Sequence, residues 1–361
     1  MTDIKIDLLG LTEEQLREFF LSIGEPKYRA GQLFPQMHKG LTPEEITNFS
    51  ATTKTKLAQT SYCHFPKIAK KLVSALDGTV KYLFRLADGN CVESVVMRYE
   101  HGITICISTQ VGCRMGCRFC ASTIDGKVRD LYPSELLGQI ISASKDLGER
   151  ISGVVMMGIG EPLDNYDNVI QFLRLVGAKN GVNIGYRHIS LSTCGLIDKI
   201  YQLAKENLPI TLSISLHAAD DKTRSEIMPI NNRYPIDKLL DACRDYFAQT
   251  GRRISFEYTL ISGKNDMPKT AEKLANLLNG KLRSKTDTMP IHVNLIPVNE
   301  VKERNFEHSD KKAIARFAEI LEKHGIRATV RRKLGSDINA SCGQLRRAEA
   351  NQNQGALEGT V

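Results

Sequence analysis

Several features that the 361-residue sequence lacks limit its class. It contains no run of about 18 or more apolar residues, which excludes a membrane-spanning helix. Its first residues, MTDIKIDLLGLTEEQ, lack the basic and apolar regions of a secretory signal, so we expect a cytoplasmic protein without a membrane partner. With 42% hydrophobic and 25% charged residues, the chain is neither disordered nor collagen-like and can build a sizeable core.

The chain also lacks the even cysteine count of a disulfide scaffold, since it has nine cysteines and no export signal. Cys113, Cys117 and Cys120 fall within eight residues, a clustering that indicates metal chemistry. The net charge of +8 suits a polyanionic partner, although many metabolic enzymes are equally basic.

The chain divides by pattern into four regions. Residues 1–64 have helical periodicity, with Thr12 as a capping box and a second helix expected near Pro26, and form a small accessory domain. Residues 65–101 alternate like strands around Asp77-Gly78 and Asp88-Gly89 and form a β-hairpin extension. Residues 102–345 form the core, and the polar tail, residues 346–361, is predicted to be disordered.

The core alternates β-branched apolar runs with helical stretches. Six repeats of this alternation predict parallel βα units, and hence an α/β fold of the partial (β/α)6, TIM-like barrel type. Two of the helices, at 133–148 and 235–250, begin with proline. The predicted strands are 103–109, 153–158, 188–193, 210–216, 254–260, 292–297 and a seventh candidate at 327–332.

The cysteine motif, Cys113-Arg-Met-Gly-Cys117-Arg-Phe-Cys120, directly follows the first of these strands. Three thiolates on a loop can hold three irons of a [4Fe–4S] cube, which leaves the fourth iron open to a ligand. The alternative is a structural zinc site with Cys106 as the fourth ligand. The spacing disfavours zinc, because structural zinc sites use paired C-x₂₋₄-C ligands.

Polar residues follow several other core strands. Because a barrel presents its ligand contacts at the carboxyl ends of its strands, these residues are candidates for one common site. Gly158 and Pro162 flank the pair Gly160-Glu161 in a turn where the backbone can approach a ligand. The binding candidates are Gly160, Glu161, Ser192, Ser215, Leu216, His217 and Asn299.

The C-x₃-C-x₂-C motif, with Phe119 before its last cysteine, resembles that of the radical S-adenosylmethionine (SAM) superfamily. The resemblance implies a [4Fe–4S] cluster held by Cys113, Cys117 and Cys120, with SAM chelated to the open iron and cleaved to a 5′-deoxyadenosyl radical. It also implies that the strand-end residues named above bind SAM.

Motifs elsewhere in the chain indicate which family of this superfamily the sequence resembles. The sequences around Cys106, Glu161, His217, Asn299 and Cys342 (TxCIxTQVGC, GEPLDN, SLHA, HVNLIPVN and DINASCGQL) resemble those of the RlmN family. These methyltransferases modify adenine C2 in the peptidyl-transferase centre of 23S rRNA and, in tRNA, the adenine 3′ to the anticodon. The chemistry consumes two SAM molecules, because C2 is electron-poor and resists ordinary methyl transfer.

The RlmN resemblance also implies three catalytic roles. Cys342 is methylated and then carries the carbon that attacks adenine, which forms a protein–RNA adduct. Cys106 resolves the adduct through a transient disulfide with Cys342, and Glu93 accepts the proton. The remaining thiols, Cys63, Cys91, Cys194 and Cys243, are interpreted as packing residues.

The target base must leave its stack, and phosphate contacts should provide the affinity. The expected partners are 23S rRNA, tRNA and an electron donor such as flavodoxin or ferredoxin, and the expected state is a monomer. Candidate RNA contacts are Lys67, Lys70, Lys71, Arg331, Arg332, Lys333, Arg346 and Arg347, with Lys27, Arg29, His38 and Lys39 in the accessory domain.

Two other functions remain open. A sister class methylates adenine C8 and confers antibiotic resistance, but it has GEAL where this chain has Gly160-Glu161-Pro162-Leu163, and QCGC where it has Gln110-Val111-Gly112-Cys113. The other alternative is a non-catalytic RNA-binding protein with a structural metal. It predicts zinc in place of iron, no SAM cleavage, and function that survives Cys342→Ala.

Overall fold

The computed structural model describes residues 5–283, 289–299 and 305–340. The accessory domain is helical, as predicted, and Thr12 forms the expected capping box with Gln15 at the start of the first helix. Its elements are β1 (Ile6–Asp7), α1 (Glu13–Ser22), α2 (Arg29–Met37), α3 (Ala51–Thr60) and β2 (Ser61–Tyr62).

The second helix follows Glu25-Pro26, as predicted, but Pro26 itself lies three residues before the helix starts. The Pro26 carbonyl accepts the Arg29 N–H at 3.1 Å, and the Lys27 carbonyl accepts the Ala30 N–H at 3.2 Å. Pro26 therefore begins a turn that precedes α2, and the helix itself starts at Arg29.

The accessory domain packs on the core through His38, which was a candidate RNA contact. His38 is 7% exposed, stacks on Phe34, and accepts the Val182 N–H at 3.1 Å through Nδ1. Burial lowers the pKa of His38 to about 4. The RNA-contact prediction for His38 is therefore wrong, because a buried neutral imidazole cannot reach phosphate.

The extension comprises three antiparallel strands that continue into the core, and both predicted aspartate–glycine turns are present. The extension strands are β3 (Lys67–Val73), β4 (Val80–Arg85) and β5 (Cys91–Tyr99). Strand β5 pairs with the first core strand, β6 (Gly102–Cys106), so that Val95 lies opposite Cys106.

One ten-stranded sheet contains the extension and the core, in the order β14-β13-β12-β11-β10-β9-β6-β5-β4-β3. The strands from β6 and β9 through β14 are parallel and joined by six helical crossovers, which confirms the predicted (β/α)6 barrel, with β14 as a seventh parallel strand. The remaining elements are β7 (Gln110–Gly112), β8 (Lys127–Asp130), α4 (Pro133–Leu147), β9 (Gly153–Met156), α5 (Tyr166–Val176), β10 (Ile189–Thr193), α6 (Ile197–Lys205), β11 (Thr211–Ser215), α7 (Asp221–Ile227), α8 (Ile236–Thr250), β12 (Ile254–Leu260), α9 (Pro268–Leu282), β13 (Ile291–Pro297), α10 (Lys311–Lys323) and β14 (Arg327–Val330).

Several element boundaries differ from prediction by a few residues, and two of the differences are informative. The first core strand ends at Cys106, and the chain beyond it forms β7, which pairs antiparallel with β8. Pro235 caps α8 from outside, with extended backbone at ψ 157°, whereas Pro133 is the first residue of α4. Both prolines keep the fixed φ that suits a helix start.

Candidate active site

The loop with the three cysteines is fixed at both ends. Gly112 has φ +78°, and a Cβ there would lie 1.9 Å from the Gly126 carbonyl oxygen, so glycine is required. The Cys113 N–H donates to the same carbonyl at 2.9 Å. On the far side, the Arg118 N–H donates to the Ile227 carbonyl at 2.8 Å, which fixes the loop against the end of α7.

The three cysteines line a cavity of about 220 Å³ at the carboxyl ends of the parallel strands. Five of the predicted SAM-binding residues line it as well, so the structure brings together eight residues from four separate strand ends. They are Cys113, Cys117, Cys120, Gly160, Glu161, Ser192, Ser215 and His217.

The thiols suit an iron–sulfur cube better than a single ion. Zinc holds its thiolates at about 2.3 Å, yet among the described residues no group of three His, Cys, Asp or Glu side chains could hold one metal ion. A cube instead gives each thiolate its own iron. Burial raises the pKa of Cys113 to about 12, so the thiolate needs a positive partner. The Ser122 hydroxyl lines the cavity without a hydrogen-bond partner, which leaves it available to a bound group.

The turn after β9 approaches the cysteine loop closely. Gly160 has φ +111°, and a Cβ there would lie 2.7 Å from the Gln110 backbone nitrogen. Glu161 is buried, and its carboxylate accepts the N–H groups of Leu163 at 3.0 Å and Cys194 at 2.7 Å. Burial raises the pKa of Glu161, and these N–H groups act in the opposite direction. The turn is a cradle with an acceptor facing the cavity.

Gln110 connects this turn to the cysteine loop, a role that the sequence did not reveal. Its side-chain oxygen accepts the Glu161 N–H at 2.9 Å, and its amide nitrogen donates to Asp164 at 2.9 Å. Asp164 also binds Arg114, the residue after the first cluster cysteine, at 2.5 Å. One polar network therefore fixes the position of the turn after β9 relative to the cysteine loop.

His217 lies two residues beyond the end of β11 in a left-handed conformation, with φ +57°. Its Nδ1 accepts the Thr259 N–H at 2.9 Å, and its ring makes an edge contact with Phe119 at 4.9 Å. Burial, with a contribution from Arg224, lowers the pKa of His217 to about 3. The imidazole is therefore neutral, and Nε2 carries the hydrogen.

Two of the predicted SAM contacts do not line the cavity. Leu216 is fully buried, and its backbone N–H donates to the Glu257 carbonyl at 3.1 Å. Asn299 lies two residues beyond β13 and is exposed. Their assignment remains a prediction.

Two buried charged residues of the site were missed in the sequence. Glu257 lines the cavity, and its carboxylate accepts from Asn294 at 2.7 Å. It is the only acidic residue in the strand ISFEYTL, a signal that could have identified it. Arg224 is fully buried and donates to the carbonyls of Cys194 at 2.7 Å and Ser215 at 3.0 Å.

Cys106 lies beside the cavity in a small apolar cluster. Met157 packs against this cluster and also lines the cavity, so the two sites share a wall. The buried members are Val95, Met97 and Cys106, and the residues packed against them are Val155, Met157, Leu334 and Ala340.

Cys342 lies outside the described residues. The chain before it is docked on the extension: the Gly335 N–H donates to Asp77 at 2.8 Å, and Asp337 accepts from the Ser74 hydroxyl at 2.7 Å. Ala340 packs against the cluster that contains Cys106 and precedes Cys342 by two residues in the sequence.

Glu93 is buried on β5 next to this docked segment. Its carboxylate forms an ion pair with Lys81 at 3.0 Å, with both side chains 1% exposed. Glu93 is therefore not a solvent-exposed strand residue. Along the sheet, Lys81 is paired with Val95, which is in turn paired with Cys106.

The other predicted groups divide by exposure. Lys67, Lys70 and Lys71 are exposed along β3, the edge strand, and Arg331 lines the cavity. Lys27, Lys39, Arg332 and Lys333 are exposed, whereas Arg346 and Arg347 lie outside the described residues. Among the packing cysteines, Cys63, Cys194 and Cys243 are buried and Cys91 is partly exposed, but Cys194 also lines the cavity.

Comparisons with known proteins agree with this arrangement. The Radical SAM superfamily model matches residues 107–277, and the model for the ribosomal RNA large subunit methyltransferase N-terminal domain matches residues 6–63. A crystal structure of a radical SAM methyltransferase from Sphaerobacter thermophilus is 40% identical, with a TM-score of 0.87 over 94% of this chain and 98% of that one.

Fold, cysteine loop and family model together define a radical SAM protein, whose cofactors are a [4Fe–4S] cluster and SAM. Two proteins named probable dual-specificity RNA methyltransferase RlmN are close relatives. That of Alkaliphilus oremlandii is 52% identical over 95% of this chain and 98% of its own length, and that of Clostridium novyi is 50% identical over 94% and 98%. The chain belongs to the RlmN family. No helix among the described residues is long and apolar enough to cross a membrane.

Proposed function

We propose that this chain is an RNA methyltransferase that transfers a methyl group to C2 of adenine. Its proposed substrates are 23S rRNA, at the peptidyl-transferase centre, and tRNA, at the adenine 3′ to the anticodon. The relatives named as dual-specificity RNA methyltransferases, at about half identity over nearly the whole chain, support this assignment.

In this proposal Cys113, Cys117 and Cys120 hold the cluster, and Gly160, Glu161, Ser192, Ser215 and His217 surround SAM. The cluster and SAM together supply the carbon radical that the reaction requires. Glu161 is suited to an ammonium group, because its buried carboxylate accepts backbone N–H groups and forms no ion pair with a lysine or arginine in the part of the chain that the structure describes. Neutral His217 can donate from Nε2 without adding charge. Leu216 and Asn299 complete the set by resemblance.

Three residues of the chain handle the methyl group in this account. Cys342 carries it as S-methylcysteine. Loss of one hydrogen atom from that methyl group to the SAM-derived radical would leave a carbon radical that bonds to adenine C2. Glu93 accepts the proton that leaves C2, and the unpaired electron of the adduct would pass to the cluster. The Cys106 thiolate then attacks the Cys342 sulfur, the S–C bond breaks, and its electron pair remains on the methylene carbon, which takes a proton to become methyl. A thiol reductant afterwards reduces the resulting disulfide.

One observation carries the proposal: Ala340, in the segment leading to Cys342, packs against the apolar cluster that contains Cys106, and Met157 belongs both to that cluster and to the wall of the cofactor cavity. The proposed disulfide step needs a second thiol within reach of Cys342, and the position of Cys106 supports that role.

Adenine C2 is favoured over C8 by the residues around the cavity. Pro162 and Val111 stand where the C8-methylating class typically has alanine and cysteine. Both positions are close in sequence to residues that line the cavity. Pro162 directly follows Glu161, and Val111, in β7, precedes Cys113 by two residues.

RNA binding is assigned to basic side chains near the opening of the site and along the sheet edge. Exposed lysines on an edge strand can follow a phosphate backbone, and their contribution should fall with salt. The proposed contacts are Lys67, Lys70, Lys71, Arg331, Arg332 and Lys333. An external electron donor such as flavodoxin or ferredoxin, a monomeric state and a cytoplasmic location stay predictions.

The test is nucleoside analysis of RNA treated with the anaerobically reconstituted protein, SAM and a reductant. We expect 2-methyladenosine in 23S rRNA fragments and tRNA. Only 8-methyladenosine would assign the protein to the sister class. Zinc instead of iron, with no SAM cleavage, would indicate the non-catalytic alternative.

A further inference from the structure

A buried lysine, Lys81, connects two parts of the chain that the proposed reaction brings together. It is the second residue of β4 and is 1% exposed. Its ammonium contacts the Glu93 carboxylate at 3.0 Å and donates to the Asn339 carbonyl at 2.9 Å. Asn339 belongs to the segment that leads to Cys342.

Stability alone is a weak reason for such an arrangement. A buried ion pair gains little net free energy, because desolvation of both charges offsets their attraction, and apolar residues of similar volume are often at least as stabilising. The cross-strand neighbours of Lys81 on the same face of the sheet, Val95 and Cys106, belong to an apolar cluster. The ion pair of Lys81 with Glu93 therefore lies next to apolar side chains, where apolar residues would also fit.

The contacts of Lys81 do impose a geometry. One ammonium group with three donors fixes a carboxylate on β5 and a backbone carbonyl of the C-terminal segment within one hydrogen-bond length of itself. The carbonyl contact acts on main chain, so it fixes the path of the segment rather than one side chain. Cys106 lies on the same face, two strands away.

We propose that Lys81 is a positioning residue that sets Glu93 and the segment carrying Cys342 in their relative places for resolution of the protein–RNA adduct. This inference rests on the proposed function. Lys81 is not among the residues that line the cofactor cavity, and in this proposal it acts through the two groups that it holds. Loss of Lys81 should therefore leave cofactor loading intact and slow the late steps, in which the C2 proton leaves and Cys106 attacks Cys342.

The test compares Lys81→Met, Lys81→Gln and Lys81→Arg with the wild-type protein and with Lys281→Met. The last variant removes a lysine paired with Asp237 on the outside of the barrel, away from the site. Iron content, SAM cleavage to 5′-deoxyadenosine, covalent protein–RNA adduct and 2-methyladenosine are measured in parallel. Lys81→Gln keeps a hydrogen-bond donor but removes the positive charge. It replaces Lys81→Met in the comparison if Lys81→Met does not fold.

We expect Lys81→Met and Lys81→Gln to retain iron and SAM cleavage, to form 2-methyladenosine roughly tenfold to a hundredfold more slowly, and to accumulate adduct. Lys81→Arg should recover a large part of the rate, because it keeps the charge and several donors. Wild-type rates without adduct in both neutral variants would overturn the inference. The inference would also be overturned if Lys81→Met, Lys81→Gln and Lys81→Arg all lost iron, because that pattern indicates a structural role for Lys81. Absence of 2-methyladenosine from the wild-type reaction would instead overturn the proposed function, and this inference with it.

Discussion

The Asp77 carboxylate accepts the backbone N–H of Gly335 at 2.8 Å, so a turn of the β-extension holds the C-terminal segment. Asp337 strengthens the contact by accepting the Ala75 N–H at 2.9 Å. Hydrogen bonds to ionised groups contribute more than neutral ones, and they lower the pKa of Asp77 to about 2. The extension is therefore more than an edge of the sheet, because it docks the segment leading to Cys342.

Releasing this contact should slow methyl transfer without affecting cofactor loading. The double variant Asp77→Ala/Asp337→Ala is expected to form product roughly tenfold more slowly, with unchanged iron content. Asp88→Ala is the matched control, since Asp77 and Asp88 each accept an N–H within their own turn at 3.0 Å, from Thr79 and Asn90. An unchanged rate in the double variant would show that docking is dispensable.

Substitution of Gly160 should damage the SAM cradle. An alanine Cβ would lie 2.7 Å from the Gln110 backbone at φ +111°, so Gly160→Ala should lower stability by roughly 1–3 kcal/mol and weaken SAM binding. Gly89→Ala is the control, because Gly89 has φ +87° but open space around it. Urea unfolding and SAM titration of the reconstituted proteins measure the two effects. Equal losses in both variants would mean that backbone strain alone, and not the close approach, is responsible.

Arg224 should be irreplaceable even by lysine. Its guanidinium reaches the carbonyls of Cys194, Ser215 and Leu216 at the ends of two strands. Lysine cannot make this planar set of bonds, and each buried carbonyl left unpaired costs about 1–3 kcal/mol. Arg224→Lys should therefore unfold at lower urea and bind less iron. A variant with wild-type stability and iron content would contradict this role.

Acid should destabilise the protein through its buried histidines. His38 has a pKa of about 4 in the folded protein and an ordinary value near 6.5 when unfolded, so the unfolded chain binds more protons between these values. The contribution of neutral His38 is complete above pH 6.5 and is lost as the pH falls towards 4. The loss at pH 5 should be on the order of 2 kcal/mol.

Urea unfolding between pH 7.5 and pH 4.5 measures this dependence. His38→Gln keeps an acceptor for the Val182 N–H and should reduce the slope, while His217 still contributes. An unchanged slope in His38→Gln would assign the acid sensitivity to other groups.

The sequence predicted those features that depend on local periodicity. The βα alternation, the strand-end position of Glu161 and His217, and the cysteine loop follow from patterns of a few residues. Glu257 was missed although a lone acidic residue in an apolar strand was visible, because that pattern also fits an edge strand exposed to solvent.

The features that could not be predicted depend on contacts between distant segments. The pairing of Lys81 with Glu93 follows from the register of β4 and β5, and the docking of Asn339 on Lys81 requires the whole core between them. His38 was misassigned for the same reason: its burial against Val182 is set by how the accessory domain packs on α5 and the loop after it.

The most direct test of the account is mass spectrometry of the protein–RNA adduct after anaerobic turnover with the Cys106→Ala and Cys342→Ala variants. The account predicts that Cys106→Ala accumulates RNA linked covalently to Cys342, and that Cys342→Ala forms no adduct. Free methylated RNA at normal yield from Cys106→Ala would contradict it.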